Sequence, residues 1–389
     1  MSTETTRSRQ ERIHGKKNLA RLQRRQVGVV GVGLLGGEVI FQLGLLQIPL
    51  LLIDPDTVDA ENLANQSFPA ERVGDAKVVV RRDQLAALSP ATRVSWRRAR
   101  VEDVGLGALG NLALLVTGLD SRISRVRVAE IAQKLGLPWL DLAVDGSGER
   151  LQGTVTYWDP RVEDAACYAC RYDDDEVAVI RGEGRGPGCP SWAKTDAPVT
   201  TPTLMASPFG SVVAGFGADW AIRSLLGQAA DVANTQLQIF GGDTPRIREL
   251  AFARSANCPL PHVSLGNKLV RVASGSIGEL YARATRDLGA EPDALRFHHR
   301  FFVTDLYCPT EGRDWEFPRL TNSIHSSELE CRACGPGATL VPQGLSDQLV
   351  TKHVERFGAV SWSDIGLPRA DVVTATCGDR EIHYVVGRA

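Results

Sequence analysis

Three glycines, Gly31, Gly33 and Gly36, lie in the run "VGVVGVGLLGGEVIFQLGLLQIPLLLIDPD" from Val27 to Asp56. At a strand-to-helix junction they leave bare backbone N–H groups facing outward, which together with a helix N-terminus form an anion cradle suited to phosphate. An acidic residue about 20 positions on is the ribose partner in dinucleotide-binding loops, and Asp54 holds that place. A second set of residues is sulfur-based. Cys167/Cys170 and Cys331/Cys334 are Cys-x-x-Cys pairs, and in a reducing compartment thiolates at that spacing share a tetrahedral metal ion. Cys189 stands apart in "GPGCPSW". A helix N-terminus and an electropositive setting would make it a nucleophile; a free surface cysteine without a role is the alternative reading.

The elements that position these residues alternate. Strand-like runs at "VGVVGV", "PLLLID", "TRVSWRRARV", "LALLVTGLD" and "PWLDLAVD" are separated by helical stretches at "GGEVIFQLGL", "AKVVVRRDQLAAL" and "SRVRVAEIAQKLG". This is the pattern of an α/β fold with a doubly wound, mostly parallel sheet covered on both faces. Residues 1–25 read as a mobile arm leading into a short helix near "NLARLQRR", and residues 26–264 as the α/β domain. Within it, residues 171–202 are acidic and Gly/Pro-rich and read as a long functional loop. A small-residue helix and a hairpin, "TQLQIFGG" then "RIRELAFAR", follow the loop. Residues 265–389 read as a small α+β accessory domain, with helices at "ELYARATRDLG" and "LSDQLVTKHVERFG", a strand at "RFFVTDLYC" and a hairpin turning at Gly378-Asp379.

Bulk properties exclude several classes. The 389 residues are 43% hydrophobic and 23% charged, a globular composition with material for two or three domains, and the net charge of −2 offers no footprint for nucleic acid. The N-terminal stretch is polar and basic without an apolar core, and no run has the length of a membrane helix. A soluble, cytoplasmic protein is expected.

The text after the glycine loop departs from a dehydrogenase. Asp54, Asp56, Asn62-Leu63, Gln66, Val73-Gly74 and Lys77, followed by Asp120 and Arg125 in "TGLDSRISR", resemble the motifs of the ThiF/MoeB superfamily, which contains the ubiquitin-activating enzymes. The resemblance spans about Asn18 to His262. It implies an ATP-dependent adenylyltransferase in which Gly31, Gly33, Gly36, Asp54, Asp56, Asn62, Gln66, Lys77, Asp120 and Arg125 bind nucleotide. Attack of one anion on another requires cations and amides to neutralise them, which suits Lys77 to the phosphates and Asp120 to Mg²⁺. Read singly, Lys77 is equally a solvated lysine opening a helix, and Asp120 an N-cap. One position departs from the pattern: Asn65 stands where the family has an arginine. Arg72 is a candidate to compensate within the chain, and Arg9 or Arg12 from the N-terminal arm of a second subunit.

By the same resemblance Cys167 and Cys170 are the first half of a zinc site completed by Cys258 and His262 in "NCPLPH". Cys331 and Cys334 with Cys308 resemble a zinc ribbon that has lost one member at Glu311. That set holds its own ion with a histidine such as His325, donates to the first site, or is empty. The resemblance further implies adenylation of the C-terminal glycine of a ubiquitin-like or sulfur-carrier protein, with Cys189 taking the acyl group as a thioester for a conjugating enzyme or sulfur donor. A homodimer is implied as well. The alternatives are adenylation of a peptide or small-molecule carboxylate, a non-catalytic partner subunit, and an NAD-dependent dehydrogenase.

Overall fold

The computed structural model describes residues 3–146, 150–182, 206–242, 244–266, 268–335 and 337–387, and the chain divides into two units. Of the described residues, the first contains those up to 101, 111–180 and 206–264; the second contains 102–110 and those from 265 on.

The chain starts with helices α1 (Thr3–His14) and α2 (Lys16–Leu22) where the sequence suggests a mobile arm. Leu19 and Leu22, three apart and therefore on one face of α2, enter the core of the first unit, and Arg21 donates to the Leu226 carbonyl at 2.9 Å. Then come β1 (Val27–Val30), α3 (Leu34–Leu45), β2 (Leu50–Ile53), α4 (Lys77–Leu88) and β3 (Val94–Arg97). A short helix α5 (Leu106–Leu109) belongs to the second unit. The first unit resumes with β4 (Leu114–Thr117), α6 (Arg122–Leu135), β5 (Trp139–Asp145), β6 (Gln152–Trp158), α7 (Asp174–Gly182), α8 (Ser207–Leu226), β7 (Thr235–Phe240) and β8 (Arg246–Ala251).

These strands form one sheet in the order β3-β2-β1-β4-β5-β6-β7-β8. The first five are parallel, and β6 to β8 run antiparallel. β1, β2 and β4 are buried at every position, as their unbroken apolar runs require in a sheet covered on both faces. One face packs Val27, Val29, Leu50, Leu52, Leu114 and Val116 against α3, α4 and α8. The order reverses at β1, which lies between β2 and β4, and that reversal opens a crevice at the carboxyl ends of the strands.

The loop expected over residues 171–202 begins instead as α7. Asp173 accepts from the Glu176 N–H at 2.8 Å while Glu176 accepts from the Asp173 N–H at 3.0 Å, a reciprocal capping box that starts the helix. Val177 and Ile180 then bury on one side.

The second unit adds β9 (Leu269–Val272), α9 (Ile277–Leu288), β10 (Ala294–Phe297), β11 (Phe302–Cys308), β12 (Arg313–Leu320), β13 (Val341–Gln343), β14 (Gln348–Leu349), α10 (Thr351–Phe357), β15 (Asp371–Cys377) and β16 (Arg380–Val386). They make a five-stranded sheet, β14-β10-β15-β16-β9, and a three-stranded sheet, β12-β11-β13. The stretch "LSDQLVTKHVERFG" is not one helix: Gln348 and Leu349 pair with Arg296 and Leu295 in β14, and only Thr351–Phe357 is helical. Pairing with a neighbouring strand outweighs helix propensity there.

Residues 102–110 are tied into the second unit by a buried ion pair. Arg300 donates to Asp371 at 2.7 Å and to the Glu102 carbonyl at 2.7 Å, and Asp371 also accepts from the Leu106 N–H at 2.9 Å. Both side chains are 3% exposed. Removing one partner leaves the other charge buried, so Arg300→Ala should cost about 3–5 kcal/mol. Guanidinium denaturation should show the loss and hydrogen exchange should show early opening of the Leu106 and Gly107 amides; an unchanged midpoint would refute this role.

Candidate functional site

At the carboxyl end of β1 the chain turns into α3 through Gly31 and Gly33. Gly31 has φ +79, and a Cβ there would meet the Gly118 carbonyl oxygen at 2.6 Å. Gly36 packs so closely that a Cβ would overlap the Gly31 carbonyl. Gly33 caps α3 without any side-chain hydrogen bond, leaving the first amides of a twelve-residue helix for a ligand.

Asp54, 5% exposed at the end of β2, fixes this loop to the next strand. Its carboxylate accepts from the Val32 N–H and from the Asp56 N–H, each at 2.8 Å. Burial, and after it the negative charge of Asp56, push its pKa up to about 6. Asp56 is largely exposed and pairs with Lys77 at 3.3 Å. Lys77, the first residue of α4, is nearly buried, and its N–H donates to the Asp56 carbonyl at 3.0 Å. A lysine at a helix start that is held by one exposed carboxylate is free to exchange that partner for a phosphate.

Arg81, unmarked in the sequence reading, holds the loop from behind. It is 1% exposed, donates to the carbonyls of Val32 and Gly33 at 3.0 Å each and to Ser67 at 3.1 Å, and stacks on Phe68 at 3.9 Å. Burial brings its pKa down to about 10, so it stays charged at neutral pH. Its spacing was a signal: Lys77 and Arg81 are i and i+4 on one helix face.

Gln66 faces the loop, its side-chain oxygen 3.3 Å from where a Gly33 Cβ would sit. The side-chain oxygens of Gln66 and Asn65 are buried without a hydrogen-bond partner. Orphaned polar atoms beside an open amide cradle fit a polar ligand such as a nucleotide. Asn62 is engaged locally, accepting from the Asp59 N–H at 3.1 Å. Arg72 is engaged too, by Asp75 and by Asp83 at 3.1 Å, so it does not replace the missing arginine as a free cation.

Asp120 is exposed after β4. It does not cap α6; Ser121 does, accepting from the Ser124 N–H at 3.4 Å. Arg125 is nearly buried, donates to Asp141 at 3.2 Å and to the Leu119 carbonyl, and thereby steadies the loop that presents Asp120. Thr117 and Trp139 complete that network, at 2.7 Å to Asp141 and 2.9 Å to Thr117. Cys189 lies outside the described residues.

A second cluster in this unit joins residues far apart in the chain. Cys167, Cys170, Cys258 and His262 place their ligand atoms within 4.8 Å of one another. The sulfurs of Cys167 and Cys258 are 3.6 Å apart, those of Cys167 and Cys170 are 3.8 Å apart, and Cys170 Sγ lies 3.4 Å from His262 Nε2. Tetrahedral zinc with Zn–S near 2.3 Å requires edges of about 3.8 Å, so three thiols and an imidazole fit a closed Zn²⁺ site. Cys331 and Cys334 group with Cys308 instead, and His325 does not join them; its Nδ1 is 2.8 Å from Ser327 Oγ.

Fold and site together define a doubly wound nucleotide-binding domain with a thiol cluster built onto it. The ThiF family model matches residues 6–260, and the chain belongs to the ThiF family. Solved structures similar to it include E. coli MccB with SeMet MccA, at 18% identity over 67% of this chain and 75% of that one with a TM-score of 0.51. E. coli MccB with ATP is 18% identical over 62% and 68%, TM-score 0.48; SeMet PaaA is 20% identical over 65% and 75%, TM-score 0.47. No curated protein matches the sequence. Family membership supports ATP-dependent adenylation of a carboxylate substrate. Among the described residues no helix is long and apolar enough to cross a membrane.

The raised Asp54 pKa has a consequence for stability. The native state keeps a proton that the unfolded chain releases near the ordinary value of 3.8, so stability falls as pH rises from about 4 to about 6 and is level above. Across that window the first unit should lose about 3 kcal/mol relative to Asp54→Asn, which lacks the titration. Denaturation midpoints of both proteins between pH 4 and 8 check this; parallel pH profiles would rule it out.

Proposed function

We propose that the protein is an ATP-dependent activating enzyme that adenylates the C-terminal glycine carboxylate of a ubiquitin-like or sulfur-carrier protein. The observation that carries this reading is the Lys77–Asp56 pair set beside buried Asp54 and the open amides of the glycine loop. A dinucleotide site has use for the loop and Asp54 but none for a displaceable lysine at the next helix start.

In the proposed reaction a carboxylate oxygen attacks the α-phosphorus of ATP, the bond to the β-phosphate oxygen breaks, and pyrophosphate leaves. The loop amides and α3 N-terminus bind phosphate, and Asp54 accepts from the ribose hydroxyls. Lys77 turns from Asp56 to the phosphates as negative charge builds. Asn62 and Gln66 add polar contacts to the nucleotide. Asp120 and Asp56 are the carboxylates that would hold Mg²⁺, which supplies charge neutralisation when bound. Arg81 and Arg125 act as positioning residues through the loops they clamp.

With Asn65 neutral and Arg72 paired to two aspartates, one cation is still missing. Arg9 and Arg12, both exposed on α1, are the candidates to supply it across a homodimer. Cys167, Cys170, Cys258 and His262 would hold a structural Zn²⁺. Cys189 is the candidate for a later thioester step.

The test is ATP–pyrophosphate exchange with Mg·ATP, labelled pyrophosphate, carrier proteins ending in glycine and short peptides. Exchange with a carrier is expected, with kcat reduced ~10²–10³-fold in Lys77→Ala and Asp120→Ala and retained in Cys189→Ala. Exchange with peptides alone would reassign the substrate. Absence of exchange with every substrate would make the chain a non-catalytic subunit.

A further inference from the structure

Cys308 ends β11 in the three-stranded sheet of the second unit, Cys331 and Cys334 lie in the segment between β12 and β13, and none of them takes part in the nucleotide site. Their sulfurs lie within 4.8 Å of one another, with Cys308 and Cys334 at 3.6 Å. Cys308 and Cys331 are buried and Cys334 is half-buried. The core around them is small: Val303, Leu306, Ile324, Leu329 and Leu340, with two of the cysteines, account for its buried members. A lobe of that size gains stability from a bound metal.

The two segments that carry the sulfurs repeat one turn. Cys308-Pro-Thr-Glu311-Gly312 and Cys331-Arg-Ala-Cys334-Gly335 align residue for residue. In the first, the Gly312 N–H donates to the Cys308 carbonyl at 2.9 Å; in the second, the Gly335 N–H donates to the Cys331 carbonyl at 3.0 Å. Both glycines are left-handed, at φ +63 and +82. The turns are therefore equivalent, and the place that Cys334 fills in one is filled by Glu311 in the other. Glu311 is exposed, and no fourth ligand atom joins the three sulfurs among the described residues.

We propose that Cys308, Cys331 and Cys334 bind one Zn²⁺ as thiolates and leave its fourth coordination position, the one Glu311 flanks, open to water or an external thiol. Three soft sulfur ligands select zinc, and binding releases their three protons to solvent. An open position distinguishes this site from the closed cluster of Cys167, Cys170, Cys258 and His262: ligand exchange and attack by a chelator begin where no protein side chain must first leave. The inference is independent of the adenylation reading.

The full-length protein, purified with reductant, should contain two zinc ions per chain by elemental mass spectrometry. Transfer to 4-(2-pyridylazo)resorcinol should show one fast and one slow equivalent. Cys334→Ser should lose the fast equivalent alone. Glu311→Cys, which completes four thiolates, should keep both ions and convert the fast phase to a slow one; because it adds a ligand, it does not depend on the lobe surviving a deletion. One zinc ion per chain that persists unchanged in Cys334→Ser, iron in place of zinc, or two ions with identical release in wild type and Glu311→Cys would each overturn the proposal.

Discussion

The candidate nucleotide site depends on one buried carboxylate. Asp54 joins the loop after β1 to the end of β2 by accepting from Val32 and Asp56, the first contact buried and the second partly so. Apart from Val32, which enters the core, the glycine loop has no side chain of its own to hold its shape. It is gripped through its backbone, by Asp54 at an N–H and by Arg81 at two carbonyls. Burial makes each grip strong, and it also disfavours charge on both groups: the carboxylate is pushed up and the guanidinium brought down. At neutral pH both nonetheless remain charged, so the cradle is held by groups that are charged against their surroundings.

The same arrangement repeats after β4. Asp141 sits under the loop and receives Thr117 and Arg125, while Arg125 reaches the Leu119 carbonyl. Asp120 itself is left exposed. In both loops the residues free to meet a ligand, Asp56 with Lys77 and Asp120, are next to residues that are fully committed. Rigid backing and exposed chemistry are what preorganised charge stabilisation requires.

Sulfur serves a different purpose. There are two clusters of cysteine among the described residues: one at the turn between β6 and α7 and the segment after β8, the other in the lobe of β11 to β13, whose buried core is small. Each contains one Cys-x-x-Cys pair legible in the sequence, and each takes its remaining ligands from elsewhere in the chain. Cys258 and His262 follow Cys170 by about ninety residues of intervening fold, over which β6, β7 and β8 pair in succession.

The sequence by itself determined the doubly wound sheet, because unbroken apolar runs at β1, β2 and β4 have no stable place except a parallel sheet covered on both faces. It also determined the glycine loop with its Asp54, since only glycine tolerates φ +79 and a backbone contact at that turn. Two further features are local in the sequence: the Asp173/Glu176 capping box that starts α7, and Arg81 one turn beyond Lys77. Other features were not local at all. Which cysteines share a cluster, that Arg72 is spent on Asp75 and Asp83, that Arg125 clamps a loop, and that residues 102–110 are bound through Arg300 and Asp371 depend on groups brought together from distant positions. Periodicity and spacing report on neighbours along the chain; charge pairing and thiol grouping are decided by distance through space, which only the tertiary structure sets.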